Sequence, residues 1–143
     1  MKIEFTILGE PASKANSRQL VTFGRGEAKR PAIIKSKKAL DYERDALLQV
    51  PARARAMLAG PVRITLRIFY ASERPDLDES VVLDVLQARY KRAGAERVLV
   101  QRGVYANDRQ VREKHVYHAI DRANPRAEIE VEPIVREFLE AAA

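Results

Sequence analysis

The sequence predicts an α+β fold: a single domain, residues 1–143, with a mixed β-sheet packed by helices. Three observations lead there. Val62, Ile64, Leu66, Ile68 and Tyr70 alternate with Arg63, Thr65, Arg67 and Phe69, the period of a strand with one buried face. Ala39, Leu40, Ala46, Leu47 and Val50 fall instead on one face of a helix. The length of 143 residues supports one hydrophobic core and is short for two, and 46% hydrophobic against 32% charged residues is the balance of a folded chain.

In chain order, residues 2–8 read as a strand with Ile3, Phe5 and Ile7 on one face and Lys2, Glu4 and Thr6 on the other. Residues 9–18 are rich in turn formers and polar groups, so a loop is expected there, its hydroxyls, amide and cations free to meet an anion. Residues 20–23 read as a short strand, followed by the flexible, basic Gly24-Arg25-Gly26. Ser36 is placed to cap the amphipathic helix and Pro51 to stop it. Residues 52–59 have the composition of a shorter second helix ending at Gly60. After the strand over 62–70, Val82, Val85, Leu86 and Tyr90 fit a helix with Asp78 or Ser80 as its cap. Gly94 breaks that pattern, and residues 97–105 read as a strand through Val98, Leu99, Val100 and Val104. Residues 106–110 are turn-like, 111–118 extended, and Asn124-Pro125 a turn signal. Ile129 and Val131 then alternate with Glu128, Glu130 and Glu132 in a late strand, and residues 134–143 read as a final short helix.

The chain has no cysteine, which excludes disulfides, thiolate metal sites and a cysteine nucleophile. It shows neither an apolar signal core at its start nor an apolar run of membrane-spanning length, so a cytoplasmic protein without a membrane partner is expected. A net charge of +6 and a pI near 9.8 point to an anionic partner. The excess is local. Lys14, Arg18, Arg25, Lys29, Arg30, Lys35, Lys37 and Lys38 face a single acid, Glu27, over residues 13–38. A charge run alone is more often a solvated face; beside a carboxylate cluster it becomes half of a nuclease, a surface that attracts phosphate next to a site that holds cations.

That cluster is sought in Arg74-Pro75-Asp76-Leu77-Asp78-Glu79-Ser80, where the central strand stops and a new apolar run begins. In an extended backbone Asp76 and Asp78 share a side while Leu77 turns to the core, and Pro75 suits a strand leaving its sheet. Phosphodiester hydrolysis needs an activated water, charge stabilisation on the phosphoryl oxygens and an aligned leaving group, all of which divalent cations supply. Magnesium prefers oxygen ligands and takes few carboxylates. Asp108, after a strand and a turn, is the candidate third acid, although from local sequence alone a turn-stabilising role is the commoner one. Asp84 is a poorer ligand, turned to another helix face. Glu79 fits either the metal site or the helix's first turn. His115 and His118, three apart in a strand, point to opposite faces, and no third histidine or thiolate completes a zinc site; they are read as structural or nucleic-acid contacts.

Taken in order, Gly9-Glu10-Pro11-Ala12-Ser13-Lys14 after a first strand, Arg74-Pro75-Asp76-Leu77-Asp78 after a central one, a helix, Asn107-Asp108-Arg109-Gln110-Val111 and a late strand, the chain resembles the RusA family of Holliday junction resolvases, endonucleases common in phages and prophages. The resemblance covers nearly the whole chain. It implies a RusA-like fold, Asp76, Asp78 and Asp108 as catalytic, magnesium-binding acids with manganese as a substitute, and a homodimer that nicks opposing strands of a four-way DNA junction in recombination and repair. The basic residues of 14–38 and Arg74 would then hold the DNA backbone. A dimer has its own rationale, since two-fold symmetry places identical sites for paired cuts. The chain departs from the family pattern in three places: Glu79 stands where an asparagine is usual, Val82 by direct count where a lysine assists catalysis, and Asn107-Asp108 where an acidic pair is usual. Lys114, Lys14 and Arg74 are the candidates to supply the missing charge. The alternative is a non-catalytic or attenuated branched-DNA-binding protein.

Overall fold

The computed structural model describes residues 1–135. Its centre is a four-stranded mixed sheet in the order β1-β8-β4-β7, formed by β1 (Ile3–Leu8), β4 (Val62–Tyr70), β7 (Val111–Ile120) and β8 (Arg126–Pro133). β8 runs antiparallel to both β1 and β4, and β4 runs parallel to β7. The α+β expectation therefore holds. Alternation in β4 decides the layering: Val62, Ile64, Leu66, Ile68 and Tyr70 are fully buried, and across the sheet they meet Ile3, Ile7, Ala127, Ile129 and Val131 in one core. The opposite face carries ion pairs, with Arg63 2.6 Å from Glu113 and 3.2 Å from Glu132.

Two helices cover the apolar face. Ser36 caps α1 (Lys37–Gln49) as expected, its Oγ accepting the Ala39 N–H, which satisfies one of the donors a helix start leaves open. The buried face differs from the expected one: Tyr42 and Glu43 are buried beside Ala39 and Ala46, whereas Leu40 is exposed. Pro51 ends the helix region, but the second helix expected over 52–59 is a single 3₁₀ turn, Ala52–Ala54. Leu58 instead bridges Tyr105, so tertiary pairing overrides the helix-forming composition.

The short α2 (Ser80–Leu86) is buried almost all round, through Val81, Val82, Leu83, Val85 and Leu86. Tyr90 does not continue it. The chain turns into β5 (Arg89–Ala93), paired with β6 (Glu96–Gln101) as a two-stranded hairpin. The strand expected over 97–105 thus divides: β6 stops at Gln101, and Val104 and Tyr105 return to the core. A second hairpin joins β2 (Arg18–Phe23) to β3 (Arg30–Lys35), the latter absent from the sequence reading. The helix expected over 134–143 lies, from residue 136 onward, outside the described residues. Among the described residues no helix is long and apolar enough to cross a membrane.

Candidate functional site

β4 and β7 deliver the candidate site to one end of the sheet. Tyr70, the last residue of β4, is fully buried yet keeps its hydroxyl in use: it accepts the Asp78 N–H at 3.2 Å and donates to the Asp76 carbonyl at 3.4 Å. One phenol thereby pins the Asp76–Asp78 backbone at the end of β4. Leu77 packs against the core, as its place between the two acids demands. Asp76 is exposed and Asp78 half-buried. The Asp78 Oδ1 accepts the Ser80 N–H at 3.0 Å, but the cap position of α2 expected at Asp78 or Ser80 is held by Glu79, which makes no side-chain cap bond.

Three carboxylates gather round the Tyr70 hydroxyl. Burial first, then the charges of Asp78, Glu10 and Glu79, push the phenol above its usual range, against the Asp78 N–H that pulls it down. Glu10 is held by the Ala71 N–H at 3.1 Å; the sequence reading passed over it, although it sits inside the Gly9–Lys14 motif. Glu79 meets the Lys114 ammonium at 2.6 Å, a contact that lowers its carboxyl below the usual range despite partial burial. Lys114 projects from β7 at the register of Ile64, which brings one of the three candidate charges to the acids. His118, four residues on along the same strand side, stacks on the Tyr70 ring with centroids 4.8 Å apart and its Nε2 3.2 Å from the Pro75 carbonyl. His115 turns to the other side and pairs with Glu113 at 2.9 Å.

Asp108 stands apart from this group. It opens a 3₁₀ turn capped by Asn107 and Gln110, and its N–H is held at 3.0 Å by Gln87, just past the C-terminal end of α2, whereas Asp78 lies just before the N-terminal end. Among the described residues no three His, Asp or Glu side chains converge at metal-binding spacing. The candidate donors there are carboxylate oxygens, the ligand type magnesium prefers. Asp84, set aside as a ligand from its helix position, faces elsewhere: it lies 3.4 Å from Lys35 and accepts from Gln87.

Val82, which the direct count aligns with a lysine, is fully buried in the core. No charged side chain fits that position. The basic tract is mostly exposed, with Lys14 on a 3₁₀ turn, Arg18, Arg25, Lys29 and Arg30 along the β2–β3 hairpin, Lys37 and Lys38 in the first turn of α1, and Arg74 before the acids. Lys35 is the exception. It is half-buried and tied to Glu43 at 2.8 Å and to Asp84, so its charge is compensated within the fold. The loop hydroxyls expected to meet an anion are also spent internally: Ser13 and Ser17 are buried, Ser13 accepting from Asn16 and Ser17 donating to the Lys14 carbonyl.

No family model matches the chain, and no curated protein matches it significantly.

Proposed function

We propose that the chain is a magnesium-dependent, structure-selective DNA endonuclease of the RusA kind, acting as a two-fold dimer on four-way junctions. The observation that carries this reading is the end of the central sheet, where Asp76, Asp78, Glu79 and Glu10 lie round Tyr70 with Lys114 2.6 Å from Glu79. Asp76 and Asp78 are the groups that would hold magnesium, or manganese in its place. A bound divalent cation would stabilise charge on the phosphoryl oxygens and acidify water there. Tyr70 keeps the Asp76–Asp78 segment in register, and Lys114 keeps Glu79 ionised while placing a cation where phosphate charge develops. The exposed Arg18, Arg25, Lys29 and Arg30 of the β2–β3 hairpin then hold the strand backbone.

That Asp76, Asp78 and Asp108 do not converge at metal-binding spacing favours one second reading, a branched-DNA-binding protein without nuclease activity. Incubating a labelled mobile junction and a linear duplex with the protein, in magnesium and after chelation, separates the two. Magnesium-dependent nicks in the junction alone support the endonuclease. Tight junction binding without nicks, in magnesium or manganese, supports the binder.

A further inference from the structure

A cleft of about 260 Å³ opens at the root of the β5–β6 hairpin, lined by Lys35, Asp84, Gln87, Arg89, Tyr90 and Arg97. It lies beyond the C-terminal end of α2, away from the acids at the N-terminal end. A seven-residue helix is about 10 Å long, a span of about three stacked nucleotides along one strand.

Two features of this cleft are not explained by folding. Arg89 gives its Nη1 to Glu43 at 2.6 Å, but its Nε and Nη2 are buried with no hydrogen-bond partner among the described residues. Those two atoms form the side edge of the guanidinium, the fork that matches two oxygens of one phosphate. Buried donors are rarely left unmade, so this edge asks for an acceptor. The second feature is Arg97, whose guanidinium lies 4.5 Å from the centroid of the Tyr90 ring. Both residues are exposed, and among the described residues no carboxylate pairs with Arg97. A flat cation on an aromatic ring, open to solvent, is a stacking platform for a nucleobase.

We infer that the cleft is a subsite for one unpaired nucleotide of a DNA strand, its phosphate on the free edge of Arg89 and its base on the Arg97–Tyr90 stack. This deepens the reading of the chain as a protein of branched DNA, where opening a pair at the junction centre would supply an unpaired base, and it rests on that reading. The Arg89 edge is closed to solvent, so the hairpin bearing it must shift to admit a phosphate; residues 90–100 are all exposed, leaving the hairpin tied to the body at its root.

The test compares binding of a fluorescein-labelled oligothymidylate with that of a linear duplex of the same length. Arg97→Lys keeps the charge and loses the plane, and Tyr90→Leu removes the ring; Tyr90→Phe restores it. Far-UV circular dichroism and thermal unfolding like those of the parent chain establish that these exposed variants fold. The expected result is a roughly 5- to 150-fold loss of single-strand affinity in Arg97→Lys and in Tyr90→Leu, with duplex affinity unchanged and Tyr90→Phe like the parent. That pattern supports the subsite even if junctions are not cut, in which case the endonuclease reading fails alone. Unchanged single-strand binding, or equal losses on strand and duplex, overturns the subsite even if junctions are cut. Absence of single-strand binding overturns the subsite, and absence of binding to a four-way junction as well overturns both.

Discussion

Val82 is fully buried in the hydrophobic core, so a lysine introduced there would take its ammonium out of water. Val82→Lys is expected to destabilise the fold by about 3 kcal/mol or more and to gain no activity, which thermal unfolding and a nicking assay would check together. In the proposed endonuclease Lys114 would supply the charge from β7 instead, and its pairing with Glu79 has a pH signature. Glu79 has a lowered carboxyl, so its contribution to stability is present above the ordinary value of 4.5 and is lost as pH falls through the lower folded-state value. In Lys114→Met that acid limb of the stability profile should flatten, by less than about 1 kcal/mol because the pair is partly exposed; urea unfolding between neutral and acid pH measures it. Asp76, Asp78 and the cap by Ser36 were legible because each rests on spacing within a few residues. Glu10, Tyr70 and His118 were not, because they reach the site from a loop, β4 and β7, and no local pattern announces neighbours that only the sheet register creates.

Both hairpins spring from one buried acid. Glu43 holds Lys35, the last residue of β3, at 2.8 Å and Arg89, the first of β5, at 2.6 Å. Burial raises its carboxyl, but the hydrogen bonds from Lys35 and Arg89 outweigh burial and leave it lowered. Glu43→Gln should cost about 1–3 kcal/mol, less than a fully buried pair because both cations keep some exposure, and chemical denaturation would register it. Gly103 is a second junction point: a Cβ there would lie 2.3 Å from the Ala88 nitrogen and 2.6 Å from the Leu86 carbonyl oxygen. Gly103→Ala therefore has to push residues 103–105 off the end of α2, with an expected loss of about 1–3 kcal/mol. Neither β3 nor β5 was found in the sequence, and the reason is physical. Both stand in projecting hairpins with little buried surface, so they carry no alternation, whereas β1, β4 and β8, buried on one face, spell it out. Residues 52–59 misled in the opposite way, since their helix-forming composition yields to the bridge between Leu58 and Tyr105.

Charge is divided across the molecule by element. The central sheet pairs Arg63 and Arg67 with glutamates on the outer face, while exposed cations stand on both hairpins, Arg18, Arg25, Lys29 and Arg30 on β2–β3 and Lys91, Arg92 and Arg97 on β5–β6. Binding to duplex DNA should fall steeply with salt, and replacing Arg25 and Lys29 together by alanine should make the log–log slope shallower by about 1.8, since each phosphate no longer neutralised removes about 0.9. A slope unchanged by the double substitution would remove the hairpin from the interface. The most direct test of the central claim is the nicking of a labelled four-way junction in magnesium by the parent chain and by Asp78→Asn, side by side. Asn keeps the shape and a side-chain oxygen able to accept the Ser80 N–H, so the fold should persist while the charge is removed. Paired, symmetric nicks by the parent chain, absent in Asp78→Asn with junction binding retained, are the predicted result. Equal nicking by both proteins, or none by either, would contradict it.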